Sequence, residues 1–238
     1  MITKVTFTGI DEKTDISRVV DISERYPFVE WGVLVSKSQT GESRRFPRLD
    51  FIYEFASNTM FKDNGLSLHL CGRYVRDLLK GNGSFITTDL KFIWDFFQRV
   101  QINTHGEKHE ISGAMPYVLN VWPGKEYIFQ NDQKNYEAFH TAESKGVNVS
   151  SLFDLSHGAG VLPEKWPKSP SNIKTGFAGG LGPENIVEQV DKINEAAEGA
   201  DIWIDMETRV RSNDWLDLDK VVEVCYKLSE HLPNLAVA

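Results

Sequence analysis

Residues Lys174 to Asn185 read K-T-G-F-A-G-G-L-G-P-E-N, an order of residue types that suits the capture of an anion. After Ala178, Gly179 and Gly180 have no side chains, so their backbone N–H groups can come close to a ligand, and the helix that follows turns its positive end toward it. Pro183 suits the first helical position, where its missing N–H would be unpaired anyway, and Glu184 complements the dipole in the first turn. The chemistry implied is a phosphate cradle. Close packing of a helix on a strand also calls for glycine, so the neighbours must decide.

Several titratable residues sit where a reaction would need them. Asp154 ends an apolar run and reads either as an acid or as a loop cap. Glu30 interrupts an apolar stretch and Glu207 ends one; a buried carboxylate must be paired or protonated, and a raised pKa would suit a base. The alternative is an ion pair, for instance Glu207 with Arg209 or with an arginine of Ser43-Arg44-Arg45-Phe46-Pro47-Arg48. His69 reads as a replacement base or a hydrogen-bonded core residue, and His105 and His157 each as a base, a carboxylate partner or a plain loop histidine. Trp122, Trp166 and Trp215 could stack on a planar ligand or belong to the core. No spacing such as H-x-x-x-H links His69, Cys71, His105, Asp154 and His157, so no metal site is expected.

The elements that must position these residues alternate strand and helix. Lys4–Gly9, Val29–Ser36, Leu66–Cys71, Arg99–Asn103, Glu126–Gln130, Ser150–Leu155, the run ending at Gly179, and Asp201–Met206 read as eight strands. Asp15 caps the first helix, and Leu49–Ala56, Gly72–Leu79, Glu110–Val121 and Lys134–Glu143 continue the series, with an extra helical segment over Asp89–Phe96. No full helix fits Ser156–Asn172. The later helices place Ile186, Val190, Ile193 and Ala197, then Leu218, Val221, Val222, Cys225 and Leu228, on apolar stripes. Strand alternation groups Leu152, Asp154 and Ser156 on one side, Thr6 with Thr8, and Ser67 with His69 and Cys71, which makes for a polar barrel mouth.

A chain of 238 residues matches the roughly 250 typical of one closed α/β barrel. No dinucleotide fingerprint follows the first strand, and no domain boundary is visible. The expectation is a single (β/α)8 barrel of the TIM type spanning residues 1–238, whose phosphate sites lie after strands seven and eight. The net charge of −8 argues against nucleic acid as a partner. No run of about 18 apolar residues and no signal pattern is present, so a cytoplasmic protein without membrane association is expected. Two cysteines are too few for a disulfide framework. Monomer and homodimer are equally compatible with the sequence.

Phe177-Ala178-Gly179-Gly180-Leu181-Gly182-Pro183-Glu184-Asn185 resembles the strand-seven phosphate motif G-G-L-N-P-E-N of the phosphoribosylanthranilate isomerase family, the barrel enzymes of tryptophan synthesis. Val5-Thr6-Phe7-Thr8-Gly9-Ile10 is similar to the family's opening V-K-I-C-G-I. Val100 to Glu107 is similar to its V-Q-L-H-G-E with an insertion, and Leu152-Phe153-Asp154 to its L-L-D. The resemblance implies a cofactor-free internal redox isomerisation of a phosphorylated sugar, with Asp154 as the general acid that opens the ribose ring. It puts Thr8 where the family has its proton-abstracting cysteine, and Arg45 where an arginine meets the anthranilate carboxylate. A threonine hydroxyl titrates far above a cysteine thiol and is a poor base near neutral pH. The family's D-V-S-S-G-V-E reads Asp205-Met206-Glu207-Thr208-Arg209-Val210-Arg211 here, so either the Arg209 guanidinium replaces backbone amides in holding the anion, or the loop runs elsewhere and the ligand differs, with Arg209 and Arg211 together suiting a more highly charged one. Two functions follow: isomerisation of an aminoaldose or aldose phosphate with another base such as Glu207, or non-catalytic binding of a nucleotide-like anion.

Overall fold

In the computed structural model, eight parallel strands close into a barrel, in the order β1 to β8 around the ring. The structure describes residues 1–58, 65–130, 134–154, 156, 159–170, 173–233 and 235. The strands are β1 (Ile2–Thr8), β2 (Val29–Ser36), β3 (Leu66–Cys71), β4 (Arg99–Ile102), β5 (Glu126–Gln130), β6 (Val149–Phe153), β7 (Thr175–Ala178) and β8 (Ile202–Met206). Between and after them run α1 (Ile16–Arg25), α2 (Leu49–Ala56), α3 (Arg73–Leu79), α4 (Ser84–Thr87), α5 (Met115–Leu119), α6 (Tyr136–Glu143), α7 (Ile186–Ala197) and α8 (Leu218–His231). A two-residue hairpin, β9 (Arg211–Ser212) with β10 (Trp215–Leu216), follows β8. No helix among the described residues is long and apolar enough to cross a membrane.

Local chemistry sets the helix starts. The Asp15 side chain accepts from the N–H groups of Ser17 and Arg18, and Asp217 does the same for Asp219 and Lys220, so α1 and α8 begin where their caps stand. Three expectations change. The segment Asp89–Phe96 holds only a short 3-10 turn, Trp94–Phe96, after the helical turn Ser84–Thr87. Pro183 does not open α7: Pro183 to Asn185 form a turn, and Asn185 caps a helix that starts at Ile186. On α8 the buried stripe includes Val224, with Val222 only partly covered. No helix joins β6 to β7 among the described residues, as the Gly- and Pro-rich composition predicts.

Two apolar regions result. The main core lies between the outward strand faces and the helices, and includes Val5, Phe7, Trp31, Val33, Leu68, Phe177 and Ile204. Inside the barrel the apolar cluster is small, Ile128, Leu152, Ala178 and Trp203. Apart from Leu34 at the mouth, most of the rest of the lumen is polar. At the strand N-termini it is filled by ions: Arg99 meets Glu30 at 2.6 Å and Glu126 at 3.0 Å, and Lys4 and Lys174 flank them. Glu30 therefore belongs to a structural ion-pair layer at the barrel floor, remote from the mouth.

Trp203 closes that floor, and Gly176 on the paired strand makes room for it. A Cβ on Gly176 would fall 2.2 Å from the Trp203 ring. Gly176→Ala should therefore overpack the floor and cost about 1–3 kcal/mol, read as a lower urea midpoint with an unchanged slope.

Candidate active site

A cavity of about 230 Å³ opens at the C-terminal end of the barrel. Thr8, Arg45, His105, Asp154, Ala178, Gly179, Gly180, Glu207 and Arg209 all line it, together with His69, Cys71, Gln101, Asn103 and Asp205. The sequence singled out the first group; strand parity turns Thr8 and Ala178 inward, and the segments that follow the strands bring the others to them.

At its centre β1 and β8 run side by side, with Thr6 opposite Asp205. The Thr8 hydroxyl donates to Asp205 Oδ1 at 2.7 Å. Burial raises the Asp205 carboxyl from its ordinary 3.8 to about 8; the Thr8 hydrogen bond opposes this, while the nearby Glu207 and Asp154 carboxylates reinforce it. Asp205 is the functional candidate that the sequence reading passed over. Its signal was alternation: Trp203, Asp205 and Glu207 share one side of the last strand, so Glu207 facing the mouth implied that Asp205 did too.

Glu207 is raised as well, by burial, with Arg45 pulling the other way. Arg45 gives Nη1 to Glu207 Oε1 at 2.6 Å and Nε to Asp214 Oδ1 at 2.8 Å. The arginine expected on a ligand carboxylate is thus a clamp between two protein carboxylates, the ion pair that the sequence offered as an alternative for Glu207. Asp154 lines the cavity and also caps its own loop, accepting from Ser156 N at 3.0 Å and Ser156 Oγ at 2.8 Å. The loop-cap reading is met, and the carboxylate also stands inside the candidate site.

Arg211 lies elsewhere. Its guanidinium donates to Gly9 O at 2.6 Å and Asp11 Oδ2 at 2.8 Å, buried behind the mouth, where it braces the first loop against the β9–β10 hairpin. Two residues after Arg209 in sequence, it is drawn inward by a buried carboxylate that the sequence did not pair with it. Arg209 itself is exposed at the rim and makes no ion pair among the described residues.

Gly179 and Gly180 adopt positive φ, 121° and 64°. Part of the reason is internal: a Cβ on Gly180 would sit 2.5 Å from Leu162 N, and one on Gly179 3.0 Å from Val161 O. The backbone of the β6–β7 connection packs on one side of the turn, leaving the other side to the cavity. Asn185 holds the turn's shape, accepting from Gly182 N and donating to Gly180 O. Gly182 admits Arg209, whose Cβ would lie 2.6 Å from a side chain there.

A polar ladder from β3 and β4 completes the wall. Gln101 Nε2 donates to Asn103 Oδ1 at 2.9 Å and to His69 Nδ1 at 3.2 Å, and Asn103 Nδ2 donates to Cys71 Sγ at 3.4 Å. Burial drives His69 down to about 3, helped by the Arg99 charge, and pushes the Cys71 thiol up to about 12. His69 is therefore neutral and, with Nδ1 already accepting, is not the replacement base considered from sequence. His105 has a left-handed backbone, φ 51°, pinned by its N–H on Gln130 Oε1 at 3.0 Å. His157 lies outside the described residues. Trp166 is core, donating to Gln189; Trp122 packs edge-on against Trp94, and Trp215 lies under Lys13 and Arg44. Among the described residues no three His, Cys, Asp or Glu side chains are placed to hold a metal ion.

No protein-family model matches the chain. No curated protein matches it either. Solved structures do. N-(5'-phosphoribosyl)anthranilate isomerase from Pyrococcus furiosus aligns with a TM-score of 0.54 at 16% identity, covering 96% of this chain and 99% of the other. D-psicose 3-epimerase from Clostridium cellulolyticum H10 aligns at 0.50 and 13% identity, over 98% and 99% of the two chains. The YdjI aldolase from Escherichia coli K12 aligns at 0.50 and 11% identity, over 98% and 90%. At these identities the likeness establishes the TIM-barrel fold.

Proposed function

We propose that this barrel is a phosphoribosylanthranilate isomerase-like enzyme that binds a phosphorylated sugar at its mouth and converts an aldose or aminoaldose to the ketose by proton transfer. The observation that carries the reading is the buried Asp205 carboxyl, hydrogen-bonded by Thr8 in the same cavity as Asp154. Two carboxyls in unlike surroundings are what an acid and a base require. Asp154 protonates the ring oxygen and opens the sugar. Ionised Asp205, a stronger base than an ordinary carboxylate, takes the proton from C2. The enol is then protonated at C1 while the C2 hydroxyl loses its proton, so the composition is unchanged. The phosphate lies toward the Gly179–Gly180 turn and Arg209, and Asp154, whose Oδ1 stands 3.8 Å from the Cβ position of Gly179, meets the sugar on that side.

The cavity size favours a small substrate. About 230 Å³ is below the roughly 300–1,000 Å³ of drug-sized ligand pockets, which suits one sugar phosphate better than a sugar phosphate bearing a second ring. The non-catalytic alternative, a receptor for a nucleotide-like anion, relied on Arg209 and Arg211 acting together, and Arg211 is committed to Asp11.

The test is turnover. Phosphoribosylanthranilate, ribose 5-phosphate and glucose 6-phosphate are incubated with the protein in deuterated water, and ketose formation and loss of the C2 proton are followed by NMR. Wild type should convert at least one of them, and Asp154→Asn should slow it by about 100-fold or more while keeping affinity for inorganic phosphate. Wild-type rates equal to buffer for all three would end the isomerase reading.

A further inference from the structure

One polar group in the mouth is left over by the proton transfer just described. His69 Nε2 is buried and has no hydrogen-bond partner, although its ring lines the cavity. Its Nδ1 accepts from Gln101, whose other amide hydrogen goes to Asn103, so the ring hydrogen resides on Nε2. A buried N–H without an acceptor costs about 1–3 kcal/mol and calls for an explanation.

Gly32 supplies one. It stands between Thr8 and Ser67 in the sheet register, facing the lumen. A Cβ there would fall 2.4 Å from Thr8 Oγ1 and 3.1 Å from His69 Nε2. The Thr8 hydroxyl thus takes the place a side chain there would fill, close to the imidazole, and both residues line the cavity. Thr8 has given its own hydrogen to Asp205 Oδ1, so its free lone pairs can only accept. An oxygen reaching the two from the cavity would accept from His69 and, if it carries a hydrogen, donate to Thr8. Such an oxygen is the hydroxyl or carbonyl of a sugar.

We propose that His69 Nε2–H and Thr8 Oγ1 form a receptor for one oxygen of the substrate, the oxygen on the carbon that loses its proton, with His69 acting as a neutral hydrogen-bond donor to the enediolate. This deepens the isomerase reading and rests on it. As negative charge develops on that oxygen, the hydrogen bond strengthens, since the imidazole that donates it is buried. A neutral imidazole serves here because it leaves the proton bookkeeping to Asp154 and Asp205. The site selects ligands with an oxygen beside the reacting carbon, such as 2-hydroxy aldehydes and their imines, over deoxy analogues.

The test needs no turnover. Protein labelled with nitrogen-15 at histidine is titrated with phosphoglycolohydroxamate, whose hydroxamate oxygens mimic an enediolate. Free His69 should show the Nε2–H tautomer with no titration between about pH 5.5 and 8.5, and the probe should move its Nε2–H resonance downfield. His69→Leu should weaken the probe about tenfold or more while leaving inorganic phosphate within about twofold, and His69→Gln, which restores an N–H, should recover part of the loss. An Nδ1–H tautomer, no response to the probe, or equal affinity in His69→Leu would overturn the proposal. A wild type that binds the probe through His69 but converts no sugar phosphate would sink the isomerase reading and leave the oxygen receptor standing.

Discussion

Replacing Asp205 by asparagine is expected to abolish turnover and, at pH 8, to make the protein more stable. Both effects come from one buried carboxyl held by Thr8. In the unfolded chain it titrates near its ordinary 3.8, and in the folded protein at about 8. Below the lower value both states are protonated and pH has no effect through this group. Between the two values the unfolded chain releases a proton that the folded protein keeps, so stability falls as pH rises, by about 1.4 kcal/mol per unit at most. Above the folded value the loss is complete. Asparagine resembles the neutral acid in shape: its carbonyl still accepts from Thr8, and it never ionises. Wild type and variant should therefore have similar urea midpoints near pH 4, then diverge until the variant leads by about 2–4 kcal/mol at pH 8. Turnover should fall by about 100- to 10,000-fold, the usual contribution of a general base. A variant that keeps its activity, or a stability difference that does not grow with pH, would show that Asp205 is neither the base nor held protonated.

The same residue marks the limit of what could be read from sequence. The strand periods, the cap Asp15, the glycine turn and the lack of a helix between β6 and β7 among the described residues are local features, set by residues a few positions apart, and they were legible. The partners of the charged groups were not. Thr8 and Asp205 lie at opposite ends of the chain and meet only because β1 and β8 close the ring. For Arg45 the pairing with Glu207 stood only as one alternative, and Asp214 as its second partner and Asp11 as the partner of Arg211 could not be read from spacing. Burial, too, is a property of the closed barrel. It converts His69 from a residue titrating near neutrality into one that stays neutral, and no spacing in Leu66–Cys71 could announce that. Even the glycine turn needed the fold, because the chain segment that crowds Gly180 comes from the far side of β7.

The largest stability loss is expected at the other end of the barrel, from Arg99→Met. The Arg99 guanidinium bonds Glu30 Oε2 and Glu126 Oε1 and lies 4.4 Å from the centre of the Trp203 ring. Glu30 has no exposure to solvent, and besides Arg99 it has the Thr6 hydroxyl at 2.8 Å and Lys4 at 3.4 Å. Burial alone would raise the Glu126 carboxyl, but Arg99 and Lys174 bring it down to about 2. Removing the guanidinium leaves both carboxylates buried with too little positive charge, a loss of about 3–5 kcal/mol where one partner of a buried ion pair is deleted. For a domain whose total stability is about 5–15 kcal/mol, that is a large fraction. The network is itself incomplete, since Arg99 Nε has no hydrogen-bond partner and Glu30 Oε1 has only the long 3.4 Å contact with Lys4. Neutralising the orphan should therefore help: Arg99→Met with Glu30→Gln is expected to recover at least half of the loss in urea unfolding. The single variant should also become less unstable as pH falls from about 7 to 5, because protonation relieves the stranded carboxylates, whereas the double variant should respond less. If Arg99→Met unfolds at the wild-type urea concentration, the ion layer contributes nothing and Trp203 with the apolar lumen cluster holds the floor alone.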